Sequence, residues 1–246
     1  MKNDSLKNRG IVVTRPASLA QDLARLIEAA GGRAFRFPAI EIEPLPVAAP
    51  SGKLDMAVFI SPTAVREGLK HLKALPEPHL IRVVGLSRGT QRELERHGIA
   101  GALAAEQGAD SEALLALPEL ARVAGRRIAI FRGEGGRDVL GDGLRSRGAV
   151  VEYIECYRRV RPRSDAAPLA AAWKGGSLHA VTVSSAQGLA NLFEMLEREL
   201  LSSLPLFVPH ERVADEARRR GVREALVAGP GDDEMLAALV AYFQVR

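Results

Sequence analysis

Six short segments collect the residue types that bind polar ligands: Thr14-Arg15-Pro16, Ser61-Pro62-Thr63, Gly85-Leu86-Ser87-Arg88, Arg132-Gly133-Glu134-Gly135-Gly136-Arg137, Ser184-Ser185-Ala186-Gln187 and Pro209-His210-Glu211-Arg212. Each follows a short apolar run and precedes a helical pattern, so each is expected at the carboxyl end of a strand and the start of a helix. Free backbone N–H groups and the positive helix end make such a place a natural anion site. Arginine adds a planar fork that fits carboxylate or phosphate. Several such loops in both halves point to a ligand with several negative groups. The candidate contacts are Arg15, Ser61, Ser87, Arg88, Arg132, Arg137, Ser184, Ser185, His210 and Arg212. Ser61, Ser184 and Ser185 read equally well as plain helix N-caps.

The glycine-rich segment has a second reading. Gly133 and Gly135 fit a dinucleotide fingerprint, and Gly136 lets the backbone approach a ligand closely. Asp138 stands where the third glycine belongs, while Glu155 lies about 20 residues on, where a ribose-binding acid would sit. A nicotinamide-dependent oxidoreductase therefore stays open as an alternative. A phosphate P-loop is excluded, because no Gly-Lys-Ser/Thr follows. The chain has no HExxH, no GxSxG and no close carboxylate pair in a loop. Cys156 reads as a packed thiol. Tyr157, expected at a hinge beside a cleft, is the one candidate proton donor. A site this poor in nucleophiles suits a substrate that is already reactive and needs mainly to be held and oriented.

The elements that must position these loops form a regular series. Strands are expected at 11–14, 33–37, 57–60, 81–84, 127–131, 150–154, 180–183, 206–208 and 225–227. Helices are expected at 19–30, 62–72, 89–97, 110–117, 137–147, 186–196, 211–220 and 232–243. Extended pieces at 39–45 and 157–161 are bracketed by prolines. Alternating strands and helices imply parallel sheets and an α/β class. VFISPTAVREGL (58–69) resembles VTVSSAQGLANL (181–192), and VVGLSRGTQRELERHGI (83–99) resembles LFVPHERVADEARRRGV (206–222), both at an offset of 123. The chain thus reads as a tandem duplication giving two similar lobes, each a parallel β-sheet flanked by helices. The simplest layout makes 1–37 plus 164–246 one discontinuous domain and 47–155 the second. Segments 38–46 and 156–163 link them and are free to pair with each other, leaving a cleft between the lobes.

Composition excludes several classes. Of 246 residues, 47% are apolar and 26% charged, which is no disordered chain. No apolar run of about 18 residues exists, so no membrane span is expected. Met1–Gly10 is polar, unlike a signal peptide. A single cysteine excludes an intramolecular disulfide and a cysteine-cluster metal site and suits the cytoplasm. The net charge is +4 with few aromatics (seven Phe, three Tyr, one Trp), so nucleic-acid binding by base stacking is not expected.

Six pieces, VTRP (13–16), FPAIEIEP (37–44), FISPTAV (59–65), IFRGEGGRDVLGDGLRSRGAVVEYIECYRR (130–159), TVSSAQGL (182–189) and VPHERVADEARRRG (208–221), span nearly the whole chain in order. They resemble the uroporphyrinogen-III synthase family, and the 130–159 run looks like that of proteobacterial members. The resemblance implies two α/β lobes joined by a two-stranded β-ladder. It implies closure of hydroxymethylbilane, an octacarboxylate linear tetrapyrrole, with inversion of the last pyrrole and loss of water. It implies no metal or cofactor. A monomer is expected, because the ladder would satisfy the linkers internally, with at most transient contact with the enzyme that supplies the bilane. Tyr157 matches the family's hinge tyrosine, which would assist departure of the hydroxyl. Ser61, Ser184, Ser185 and the 132–137 loop match its carboxylate-binding loops. Family members often carry a threonine where Arg212 stands, so an arginine–carboxylate contact is expected there instead. A module that holds a polyanionic tetrapyrrole without turnover is the competing reading.

Overall fold

The computed structural model describes residues 4–48, 50, 52–105 and 110–245; the first three residues of the polar Met1–Gly10 segment lie outside them. The chain divides into two compact units, residues 1–41 with 160–246 and residues 42–159. Among the described residues no helix is long and apolar enough to cross a membrane.

The first unit opens with β1 (Gly10–Val13), α1 (Ala17–Ala29) and β2 (Arg33–Arg36). After the second unit, the chain returns to it through α7 (Ala167–Lys174), β9 (Ala180–Thr182), α8 (Ala186–Met195), α9 (Arg198–Ser203), β10 (Leu206–Val208), α10 (Glu211–Arg219), β11 (Ala225–Val227) and α11 (Asp232–Gln244). The five strands form a parallel sheet in the order β11-β10-β9-β1-β2. All four residues of β1 (GIVV) are buried, as expected for a strand covered on both faces. Val12 packs with Val181, Leu192 and Val208 on one side. Ile11 and Val13 pack with Leu23, Phe207 and Leu239 on the other.

The second unit contains β3 (Glu41–Pro44), β4 (Met56–Phe59), α2 (Pro62–Lys73), β5 (Arg82–Gly85), α3 (Arg88–Arg96), β6 (Leu103–Ala104), α4 (Ser111–Leu115), α5 (Pro118–Ala121), β7 (Arg127–Gly133), α6 (Val139–Ser146) and β8 (Val150–Val160). Its sheet has the order β3-β8-β7-β4-β5-β6. Phe59 stacks on Phe131 at 4.5 Å between ring centroids. Glu93 of α3 is buried and ties that helix to α2 through Arg66. At the edge, the Leu45 N–H donates to the Cys156 carbonyl, and Arg158 pairs with Glu43.

The two sheets share one topology. Replacing β1, β2, β9, β10 and β11 by β7, β8, β4, β5 and β6 turns the first strand order into the second, which adds only the edge strand β3 beside β8. This is the structural counterpart of the internal repeat.

Three local expectations change. Segments 150–154 and 157–161 are a single strand, β8, whose exposed Arg158 and Arg159 mask its continuity in sequence. Strand β7 continues to Gly133, and α6 starts only at Val139, so Arg132 and Gly133 are strand residues rather than loop residues. Strand β6 and helices α5, α7 and α9 were not anticipated; β6 has two residues and α5 four, α7 is an alanine-rich stretch without a clear apolar stripe, and α9 has only six residues.

Candidate active site

The second unit builds a polar cluster near the ends of β7 and β8. The pairing register shifts there: Arg132 faces Glu155, but Gly133 faces Tyr157, leaving Cys156 as the extra residue of a bulge. In a regular strand, residues 156 and 157 would point to opposite faces. The bulge lets Cys156 and Tyr157 enter the same apolar cluster with Phe59, Phe131 and Ile154. Tyr157 is 1% exposed. A Cβ at Gly133 would stand 2.7 Å from its ring, so only glycine fits beneath it. The Glu134 N–H donates to the Tyr157 carbonyl at 2.8 Å.

The phenolic oxygen points to the edge of that cluster. It lies 3.2 Å from the half-buried Ser61 Oγ and 3.5 Å from Nη2 of the exposed Arg159. Ser61 is the N-cap of α2, its Oγ accepting the Ala64 N–H at 3.0 Å. Arg159 was not among the expected site residues. Its spacing of two from Tyr157 on a strand is the signal that brings the two together.

Arg132 is 8% exposed and fully engaged. Its Nε and Nη2 donate to Glu155 Oε1 at 3.1 and 2.9 Å, and its Nη1 to Asp138 Oδ1 at 2.7 Å and the Gly136 carbonyl at 3.1 Å. Its guanidinium lies 3.7 Å from the Tyr153 ring centroid. Burial alone would lower the Arg132 pKa, but the bonds from Asp138 and Glu155 outweigh it and raise it. The hydrogen bond from Arg132 holds Asp138 below the ordinary carboxylate value. A buried cation needs such partners. Arg132 therefore shapes the 134–138 turn here and presents no free fork to a ligand. Glu155, the acid that the dinucleotide fingerprint would require to be available, is committed to it. Gly135 takes a left-handed backbone with φ +71°. Gly136 is half-buried, and Arg137 is exposed with no ion-pair partner among the described residues.

Serine caps open two further helices, one in each unit. Ser87 caps α3, accepting the Thr90 N–H at 3.3 Å, and Arg88 behind it is exposed. In the first unit Ser185 caps α8, accepting the Gly188 N–H at 3.1 Å. Ser184 precedes it, half-buried. The cap equivalent to Ser61 is thus Ser185, one residue beyond the offset of 123. His210 holds the N-cap place of α10 without a side-chain bond; it and Arg212 are exposed. Arg15 is ion-paired to Asp232 in the first turn of α11. Burial raises the Asp232 pKa, with Arg15 opposing.

Comparison with known proteins adds a family to this geometry. A family model described as uroporphyrinogen-III synthase HemD matches residues 21–237. The chain is 33% identical over 241 residues to uroporphyrinogen-III synthase of Escherichia coli (strain K12), covering 92% of this chain and 97% of that one. It is 31% identical to the Salmonella typhimurium enzyme of the same name over 92% of this chain and 97% of that one. Among solved structures, the fold is similar to uroporphyrinogen-III synthetase from Helicobacter pylori 26695, with TM-score 0.63 and 15% identity over 95% of this chain and 99% of that one. A mutant uroporphyrinogen III synthase from Thermus thermophilus gives TM-score 0.57 and 19% identity over 97% of this chain and 99% of that one. The sequence matches extend through both units and both ends of the cluster around Tyr157, and the chain belongs to the uroporphyrinogen-III synthase family.

Proposed function

We propose that the chain closes hydroxymethylbilane to uroporphyrinogen III, inverting ring D and releasing water, as a step of tetrapyrrole biosynthesis. The observation that carries this reading is the near full-length match to uroporphyrinogen-III synthases. In this reading the Tyr157 hydroxyl donates a proton to the departing hydroxyl of the bilane as the C–O bond breaks. Water leaves, and the azafulvene remains as its protonated, cationic form. Ring closure then runs through a spiro intermediate that rearranges. Without steering, the reactive cation closes uninverted, so the protein's work is to hold and orient it.

The octacarboxylate substrate accounts for exposed arginines at helix starts. Arg88 and Arg212 lie in the first turns of α3 and α10, and Arg137 precedes α6. Each offers a fork to a carboxylate beside free backbone N–H groups. Ser184, Ser185 and His210 border the same kind of loop in the first unit. Arg15 contributes to substrate only by exchanging Asp232 for a substrate carboxylate. The reaction needs no cofactor in this reading, and we place it in the cytoplasm, with the protein acting as a monomer and at most transiently meeting the enzyme that supplies the bilane.

A coupled assay tests the proposal. Hydroxymethylbilane is generated in situ, the protein is added, and the oxidised products are separated by isomer. The expected result is a shift from the type I to the type III isomer. Type I alone with folded protein overturns the reading and leaves tetrapyrrole binding without turnover, which a titration then measures.

A further inference from the structure

Tyr157 has almost no conformational freedom. Its ring lies against Gly133 on one side and is buried in the apolar cluster of the second unit. The remaining freedom is rotation of the O–H bond, which decides where the proton points. Two groups bear on it, Arg159 Nη2 at 3.5 Å and Ser61 Oγ at 3.2 Å. A guanidinium only donates, so Arg159 occupies a lone pair of the phenolic oxygen and never takes its proton.

Ser61 decides the rest. Its oxygen already accepts the Ala64 N–H at the start of α2. Accepting one hydrogen bond polarises a hydroxyl and strengthens it as a donor. The positive helix end acts in the same direction, opposing a second donor aimed at that oxygen and favouring a proton that leaves it. Donation from Ser61 to the phenolic oxygen fills its second lone pair. With both lone pairs met by donors, the phenolic proton turns away from Ser61 and Arg159.

We propose that Ser61 is a positioning residue for Tyr157: anchored by the first turn of α2, it donates to the phenolic oxygen and so directs the phenolic proton outward for transfer. This rests on the role given to Tyr157 above. The proton passes to the departing hydroxyl oxygen and leaves in the water. The oxygen left on Tyr157 keeps two donors, Ser61 and Arg159, until it regains a proton from the pyrrole carbon that loses its hydrogen after ring closure. The helix-capping serine and the reacting phenol are thereby one hydrogen-bonded unit.

Steady-state kinetics of Ser61→Ala, Ser61→Thr, Tyr157→Phe and the double variant Ser61→Ala/Tyr157→Phe test this. Ser61→Ala should lower kcat about tenfold, a fraction of a general acid's usual contribution, with KM changed less than about twofold. Threonine keeps both cap and hydroxyl, so Ser61→Thr should recover kcat to within about threefold. The double variant should be no slower than Tyr157→Phe alone, because coupled groups are not additive. Asp110→Ala, which removes the side-chain cap of α4, controls for capping alone: its Tm should fall while kcat stays unchanged. A raised KM with full additivity would place Ser61 on the substrate and overturn the proposal. An unchanged kcat in Ser61→Ala with a lowered Tm would reduce it to a helix cap and equally overturn it. If Tyr157→Phe turns over at the normal rate, the role of Tyr157 itself fails; if it is slow while Ser61→Ala is not, only the positioning role fails.

Discussion

The ring of Tyr157 lies over the α-carbon of Gly133, so near that a single added methyl would stand 2.7 Å from the ring. Both residues come to this place through the β8 bulge, which pairs Gly133 with Tyr157 instead of Cys156. Glycine is needed here for close approach rather than for an unusual backbone. Gly133→Ala should push the ring out of its slot and cost about 1–3 kcal/mol, the usual range for overpacking. The expected outcome is a lower denaturant midpoint together with a reduced kcat. A variant that loses stability but keeps its full turnover would separate the slot from the chemistry.

Arg132 and Arg212 should behave differently although both read as anion contacts from sequence. Arg132 is bound by Glu155 and Asp138. Arg132→Ala should lower Tm, and Arg132→Lys should recover little, because an ammonium cannot reproduce the fork. Arg212 is exposed in the first turn of α10. Arg212→Ala should leave Tm unchanged and raise KM about tenfold, the worth of one charge-assisted hydrogen bond of about 1.5 kcal/mol. Thermal melts and initial rates on the two alanine variants check both halves. Equal KM values for Arg212→Ala and the parent would remove Arg212 from the binding surface.

This contrast shows what sequence carries and what it leaves out. Short apolar runs bounded by glycine and proline locate β4, β7, β9 and β10 closely, because strands covered on both faces must be apolar throughout. Ser61, Ser87 and Ser185 are legible as helix starts, since capping depends on a residue and the three that follow it. The partners of Arg132 are not legible, because its meeting with Glu155 depends on the register of β7 against β8. The bulge at Cys156 is hidden for the same reason. Two neighbouring residues that share a face break the period of two, and the break reads as the end of one strand and the start of another. Arg159 was accessible by its spacing from Tyr157, but the run Tyr157-Arg158-Arg159 reads first as a solvated strand end.

Stability should depend on pH through Glu93. Burial alone would raise its pKa, but the hydrogen bond and charge of Arg66, with bonds from Arg96 and His97, outweigh it and lower it. A carboxylate whose pKa is depressed by folding contributes stability above its unfolded value. That contribution disappears as pH falls from the ordinary carboxylate range through the depressed native value. Glu93→Gln should therefore lower stability at neutral pH and flatten the acid limb of a Tm-against-pH curve. An acid limb as steep as the parent's would assign the loss to other carboxylates.

Cys156 offers a chemical readout of the bulge. Its side chain is 1% exposed overall, and burial pushes the thiol pKa up to about 11. The thiolate is the reactive form, so at pH 8 both access and ionisation oppose alkylation. Native protein should react with iodoacetamide far more slowly than a free thiol. In guanidinium chloride the same residue should react at the free-thiol rate. Because Cys156 and Tyr157 are buried together by one bulge, Gly133→Ala should accelerate native-state alkylation as the ring is displaced. Mass spectrometry after timed quenching follows all three samples on one scale. Rapid labelling of the parent under native conditions would mean that the bulged segment opens readily and that the slot beneath Tyr157 is not held closed.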